Sequence, residues 1–210
     1  MTTEIQKILK SAVSEGFLTP NVAKNGLNHS VGFLSFKEKI TLNQNDLAID
    51  LGTGGGLPGL ILSNLTICKW LLIERSEKRS SFLKKAVRRL DLVDRVQILN
   101  KPAEEVARDF YRGTAKLVTS RSFGPPSLTA ECAAPFLKKG GLMVVSEPPF
   151  EIDSYLGKNR WPAEGLEVFS LKNFDYWNTG EGAYKSFLSY GECPDLYPRR
   201  FKTMLKKPIF

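Results

Sequence analysis

The chain has 210 residues, 42% of them apolar and 25% charged, which fits one globular domain over 1–210 with a small appendage at one end. Thirty basic against twenty-two acidic residues leave a net charge of +8, a balance that points first to a nucleic-acid partner. No run approaches the roughly 18 apolar residues of a membrane span, no apolar leader core follows the N-terminus, and three scattered cysteines (Cys68, Cys132, Cys193) with a single histidine (His29) exclude a disulfide framework, a zinc site and a histidine relay. A cytoplasmic protein is therefore expected, without membrane or metal, and as a monomer.

Ile5, Ile8, Leu9, Ala12 and Val13 recur at helical spacing, so residues 3–15 read as an amphipathic helix, and a second helical piece fits within 20–36. Together they form a small N-terminal cap over 1–40. From residue 47, short apolar runs (47–50, 70–73, 96–99, 116–120, 142–146) alternate with helical stretches at 58–65, 77–90, 103–111 and 127–137. In the 77–90 helix, Phe82, Leu83, Ala86 and Leu90 form one face, and six cations (Lys78, Arg79, Lys84, Lys85, Arg88, Arg89) occupy the rest. Gly140-Gly141 offers a break before the fifth strand. Beyond Pro148-Pro149, residues 167–171 and 184–190 are the remaining strand candidates, the latter antiparallel if the sheet ends in a hairpin. Alternating strands and helices imply an α/β fold, doubly wound, with a mostly parallel seven-stranded Rossmann-like sheet. The last segment, 195–210, is a basic tail with five cations between Arg199 and Lys207.

The most informative stretch is LAIDLGTGGGLPGL. A strand ends at Asp50, glycines follow where backbone must approach a ligand, and Pro58 opens a helix where its missing N–H costs nothing. The order Asp50, Gly52, Gly54, Gly56 reads D-x-G-x-G-x-G rather than the dinucleotide fingerprint G-x-G-x-x-G, and no G-K-[ST] follows to make a phosphate-binding P-loop. The second strand ends at Glu74, 22 residues after Gly52, where a carboxylate can accept both hydroxyls of a ribose. This pattern suits S-adenosylmethionine, with Asp50, Gly52, Thr53, Gly54, Gly56 and Glu74 as candidate contacts. Plainer readings stay open: Asp50 as a turn or helix cap, Glu74 as an exposed acid paired with Arg75 or Arg79, and Glu104 as a first-turn carboxylate favoured by the helix dipole alone.

DLGTGGGLPG, LLIERSEKRSSFLKKAVRRLDL, PAEE, VTSRSFGP and the tail YPRRFKTMLKKP together resemble the glucose-inhibited division protein B family, bacterial methyltransferases that modify guanine N7 in small-subunit ribosomal RNA. The resemblance runs over about 47–146 and returns at the C-terminus. It implies S-adenosylmethionine as cofactor, ribosomal RNA or the small ribosomal subunit as partner, Gly52 and Leu57 as loop contacts, Ala103-Glu104 as the adenine contact, and Arg121 as the arginine that closes the site. The chain departs from the family at HSVGFL, which lacks the aspartate of the usual His-x-x-Asp-Ser-Leu, and at Ser146-Glu147-Pro148-Pro149, where the family tends to carry a lysine.

Guanine N7 offers an unprotonated lone pair, so such a transfer needs alignment and water exclusion rather than a base, and no catalytic residue is assigned. Arg121 suits the methionine carboxylate or the target base, or a plain salt bridge. Glu147 suits guanine N1 and N2 or is a turn acid, and His29 reads as a packing or capping residue. Arg199, Arg200 and Lys202 fit RNA phosphates, with a solvated tail as the alternative. Three other functions stay open: a methyltransferase for a small molecule or protein, a nucleic-acid-binding module without turnover, and a nicotinamide oxidoreductase.

Overall fold

The computed structural model describes residues 3–35, 41–148 and 159–210. Seven strands form one sheet: β1 (Leu47–Leu51), β2 (Lys69–Ile73), β3 (Val96–Leu99), β4 (Ala115–Ser120), β5 (Leu137–Glu147), β6 (Leu171–Asn178) and β7 (Ala183–Ser189). Their order is β3-β2-β1-β4-β5-β7-β6, with β1 to β5 parallel and β7 antiparallel to both its neighbours. The expected doubly wound sheet is present, and it closes on the expected hairpin.

The central strands read as continuous apolar runs because both of their faces are covered. Ala48, Trp70, Leu72, Leu117, Leu142 and Val144 face one side. There they pack under α1 (Thr3–Ser14), α3 (Gly59–Leu65) and α4 (Glu77–Arg89) through Ile8, Leu60, Phe82 and Leu83. Ile49, Leu71, Val118, Met143 and Val145 alternate to the other side, against α5 (Ala103–Val106), α6 (Pro126–Ala133) and a C-terminal helix, α8 (Phe201–Lys206), through Val106, Leu128 and Met204. Helix α2 (Pro20–Gly32) begins at Thr19, whose hydroxyl accepts the Val22 N–H at 3.3 Å, with Pro20 at its first turn. A third cluster, Ile5, Leu9, Leu57 and Ile61, joins this N-terminal layer to the glycine loop.

Several boundaries differ from the sequence expectation. The strand expected at 167–171 is not there: α7 (Ala163–Glu167) follows Pro162, and the strand starts only at Leu171. The helix expected over 103–111 stops at Val106. The one expected over 127–137 ends at Ala133, where Pro135 turns the chain into a single 3₁₀ turn. Gly140-Gly141 does not break β5 but lies inside it, Gly140 at φ 81°, where the β4–β5 register shifts.

Candidate active site

The glycine loop crosses the carboxyl end of β1, where an open parallel sheet places its ligands. Gly52, Gly54 and Gly56 all have positive φ (65°, 58° and 106°), which explains glycine at these three positions. Gly52 and Thr53 donate their N–H groups to the Ile73 carbonyl at 2.9 and 3.1 Å, tying the loop to the end of β2. A Cβ built on Gly54 would meet only the Gly52 carbonyl oxygen, at 3.7 Å, so the space above it is open. A Cβ on Gly52 would instead strike the Phe123 ring, which lies over the loop from the end of β4.

Asp50 is fully buried beneath the loop. Its Oδ2 accepts the Gly59 N–H at 3.0 Å and its Oδ1 accepts the Thr119 hydroxyl at 2.7 Å, so it caps α3 from below and braces β1 against β4. Burial pushes its carboxyl up to about 7, against the pull of these donors and of Arg121. Of the two sequence readings for Asp50, the geometry is that of the cap. Thr53 is likewise buried, and the Leu57 side chain points away into the cluster with Ile5, Leu9 and Ile61.

Glu74, 4% exposed, accepts the Gly54 N–H at 2.9 Å and the Ser76 N–H at 2.8 Å, one on each carboxylate oxygen. A carboxylate offers about four acceptor positions, so roughly half remain for a ligand. Asn100 fixes the backbone here by donating to the Glu74 and Arg75 carbonyls at 3.0 and 2.9 Å. Beside Glu74 opens a cavity of about 300 Å³, walled by Gly52, Ala103, Glu104, Phe123 and Leu128, with Arg75, Arg79 and Lys101 at its edge. Five candidates are thus brought to one place or its rim: Gly52, Gly54, Glu74, Ala103 and Glu104.

Arg121 stands one residue past β4. Its Nη1 is buried and has no hydrogen-bond partner among the described residues, a costly state for a guanidinium. His29 faces it from α2. Burial, then the Arg121 charge, lower the imidazole to about 4, so it is neutral near pH 7, and its Nδ1 is buried with no hydrogen-bond partner among the described residues. Tyr184 of β7 donates to the His29 carbonyl at 2.7 Å, pinning α2 to the sheet beside this pair. Glu147 is held elsewhere: Arg160 and the Trp161 indole donate to it at 2.8 and 3.0 Å. Pro149 of that segment lies outside the described residues.

The C-terminal segment is not a loose basic tail. Arg199 forks onto the buried Glu131 of α6, Nε to Oε1 at 2.8 Å and Nη2 to Oε2 at 2.6 Å, and its backbone N–H adds a third bond at 2.7 Å. Its guanidinium is thereby committed inside the protein, whereas Arg200 and Lys202 are exposed. Phe201 and Leu205 line the cavity, so the tail is folded over the site, an arrangement the sequence allowed but ranked below an RNA-facing tail because of its cations. On α4, Lys78, Lys84, Lys85 and Arg88 face solvent, Arg79 turns to the cavity, and Arg89 binds Glu4 with Nε at 2.8 Å.

Comparison with known proteins bears on the family and the fold. The chain is similar to the ribosomal RNA small subunit methyltransferase G of Desulfitobacterium hafniense, 32% identical over 190 residues that cover 87% of this chain and 77% of the relative. The protein of the same name from Pseudothermotoga lettingae is 30% identical over 162 residues, 77% of this chain and 71% of its own length. Among solved structures, the cofactor-bound Rv0187 from MTB superposes with a TM-score of 0.65 at 15% identity, covering 91% of this chain and 92% of that one. The Methanococcus jannaschii fibrillarin pre-rRNA processing protein follows at 0.58, with 15% identity and coverage of 80% and 76%. These two show the fold alone. The family model GidB, rRNA small subunit methyltransferase G, matches residues 19–170, most of the chain, and this protein belongs to that family.

Proposed function

We propose that the protein transfers a methyl group from S-adenosylmethionine to N7 of a guanine in small-subunit ribosomal RNA, in the cytoplasm. The observation that carries the cofactor half is Glu74: a buried carboxylate with free acceptor positions, beside open space above Gly54 at the ends of β1 and β2. A ribose diol suits those acceptor positions. Ala103 and Glu104 border the part of the cavity that suits adenine, and the unpartnered Nη1 of Arg121 suits the methionine carboxylate. The residues present therefore fit the group. Bound there, S-adenosylmethionine supplies an electrophilic methyl carbon on a sulfonium.

The protein's own part is alignment and exclusion of water. Guanine N7 presents a lone pair at neutral pH, so no side chain has to remove a proton first. That agrees with a site whose one imidazole is held at about 4. Glu74 would hold the ribose end of the cofactor, Arg121 is the candidate for its carboxylate end, and Phe123 lies over the loop at Gly52.

The RNA half rests on the names of the relatives and on charge. Arg75, Arg79 and Lys101 edge the cavity, and Arg200 and Lys202 stand exposed on or beside α8, the helix that walls it. Phosphate contacts from these cations would bring an RNA strand across the mouth. Arg199 is left out of this set because its guanidinium is committed to Glu131.

The test is incubation of the purified chain with methyl-labelled S-adenosylmethionine and small-subunit RNA or subunits, followed by nucleoside analysis. Label in 7-methylguanosine is the expected result. Label in another nucleoside would refute the N7 assignment. Label absent from RNA but present in proteins or small molecules of an extract would replace the RNA substrate.

A further inference from the structure

The cavity beside Glu74 has a wall that lies outside residues 19–170, the segment matched by the family model. It is supplied by α8, whose Phe201 and Leu205 are four residues apart and therefore share one face of the helix. The helix is fixed at both ends. Before it, the Arg199–Glu131 fork anchors the chain, and Arg112 donates to the Tyr197 and Cys193 carbonyls at 2.7 and 2.6 Å. Arg108 adds a bond from Nε to the Pro198 carbonyl at 2.9 Å. After it, the Ile209 and Phe210 N–H groups donate to the Ser127 hydroxyl at 2.9 and 3.3 Å. Met204, 2% exposed, plugs the helix into the core. With its backbone held this way, α8 is a fixed wall, and the side chains it turns to the cavity are pre-positioned.

The chemistry of that wall is apolar and aromatic. Leu205 remains 55% exposed although it lines the cavity, so apolar surface there is left uncovered by the protein itself. Arg75 places its guanidinium carbon 6.0 Å from the Phe201 ring centroid, steadying the ring in a cation–π contact. A flat heteroaromatic ring is the ligand part that gains most from such a surface, because every base has a π-face to stack.

We propose that Phe201 and Leu205 form the outer wall of the adenosine end of the cofactor site, so that the C-terminal helix serves the cofactor on one face while its exposed cations face outward. This rests on the S-adenosylmethionine reading above. Stacking on an aromatic side chain contributes a factor of about ten to a hundred in affinity. Removal of the ring should therefore weaken adenosine and S-adenosylhomocysteine by the same factor, since both carry the adenine. A merely structural role would instead show as a lowered melting temperature in Phe201→Ala.

The experiment is calorimetric titration of the full chain with S-adenosylhomocysteine and, separately, with adenosine. Four proteins are compared: the parent, Phe201→Ala, Phe201→Tyr and Leu205→Ser, each with its thermal melting curve. The proposal expects Phe201→Ala to lose about tenfold or more for both ligands, Leu205→Ser to lose severalfold, and Phe201→Tyr to bind like the parent. Leu205 is half exposed, so its variant keeps the test alive if Phe201→Ala fails to fold. Parent binding with unchanged affinity in the folded variants would overturn the wall and leave the cofactor reading standing. Absence of S-adenosylhomocysteine binding by the parent would overturn the cofactor reading and the wall together.

Discussion

Replacing Arg199 by methionine should be among the more damaging single changes in the C-terminal half. Glu131 is 0% exposed, and the hydrogen bonds to its carboxylate given by the structure are three from Arg199, at 2.6, 2.7 and 2.8 Å, two of them from the guanidinium. Removing the guanidinium leaves a buried carboxylate with one backbone N–H. Breaking a buried ion pair by deleting one partner costs about 3–5 kcal/mol. The surviving N–H and the 17% exposure of the Arg199 side chain place the expected loss at the lower end, ~3 kcal/mol. For a chain of this length, that lowers the melting temperature by about 6–12 °C. The double variant Arg199→Met with Glu131→Met should recover about half of the loss, because two apolar side chains can replace a buried pair at little cost. It would still lack the partner of the Arg199 N–H, a residual of about 1–2 kcal/mol. Urea unfolding followed by tryptophan fluorescence measures both variants. A single variant costing under ~1 kcal/mol, or a double no better than the single, would refute a buried pair as the anchor of the tail.

Three further outcomes are expected. Glu74→Ala should weaken S-adenosylhomocysteine binding by about 1–3 kcal/mol in a calorimetric titration, and a change of only a few tenths would return Glu74 to a purely structural role. The His29 imidazole, lowered from its ordinary 6.5 to about 4, resists a proton that the unfolded chain accepts. Its contribution to stability is whole above about pH 6.5 and is lost as pH falls toward 4, so His29→Gln should lose less stability than the parent over that window. After allowance for solvent screening the difference is about 1–2 kcal/mol, and equal losses in the two proteins would contradict it. Replacing Arg200 and Lys202 together by glutamine should flatten the salt dependence of RNA binding by about 0.7 log units per log unit of salt for each single-strand phosphate no longer neutralised, and an unchanged slope would remove both from the phosphate set.

The sheet was legible because its central strands are buried on both faces and so read as uninterrupted apolar runs from Leu47 to Val145. The edge was not. LKNFDYWN, which forms β6, alternates poorly because much of it faces water, and the apolar residues nearby drew the expected strand onto the end of α7. In the site, Glu74 and the glycines were legible from spacing, since backbone that must turn through positive φ demands glycine at fixed intervals. Asp50 was legible as important but not in direction: the same position serves a ligand above the loop or the helix N-terminus below it, and only the Gly59 and Thr119 bonds distinguish the two. Glu131 sits among small apolar residues in PSLTAECA, a hint of a buried acid, yet its partner lies 68 positions away and no local pattern names it. The apolar spacing of Phe201, Met204 and Leu205 was the available sign that the tail packs.

The most direct measurement of the central claim is nucleoside mass spectrometry of small-subunit ribosomal RNA from cells with and without the gene, and with the gene restored. One 7-methylguanosine should disappear with the gene, return with the intact gene, and return less completely with a Glu74→Ala copy. An unchanged 7-methylguanosine content in the deleted cells would contradict methylation of that RNA by this protein.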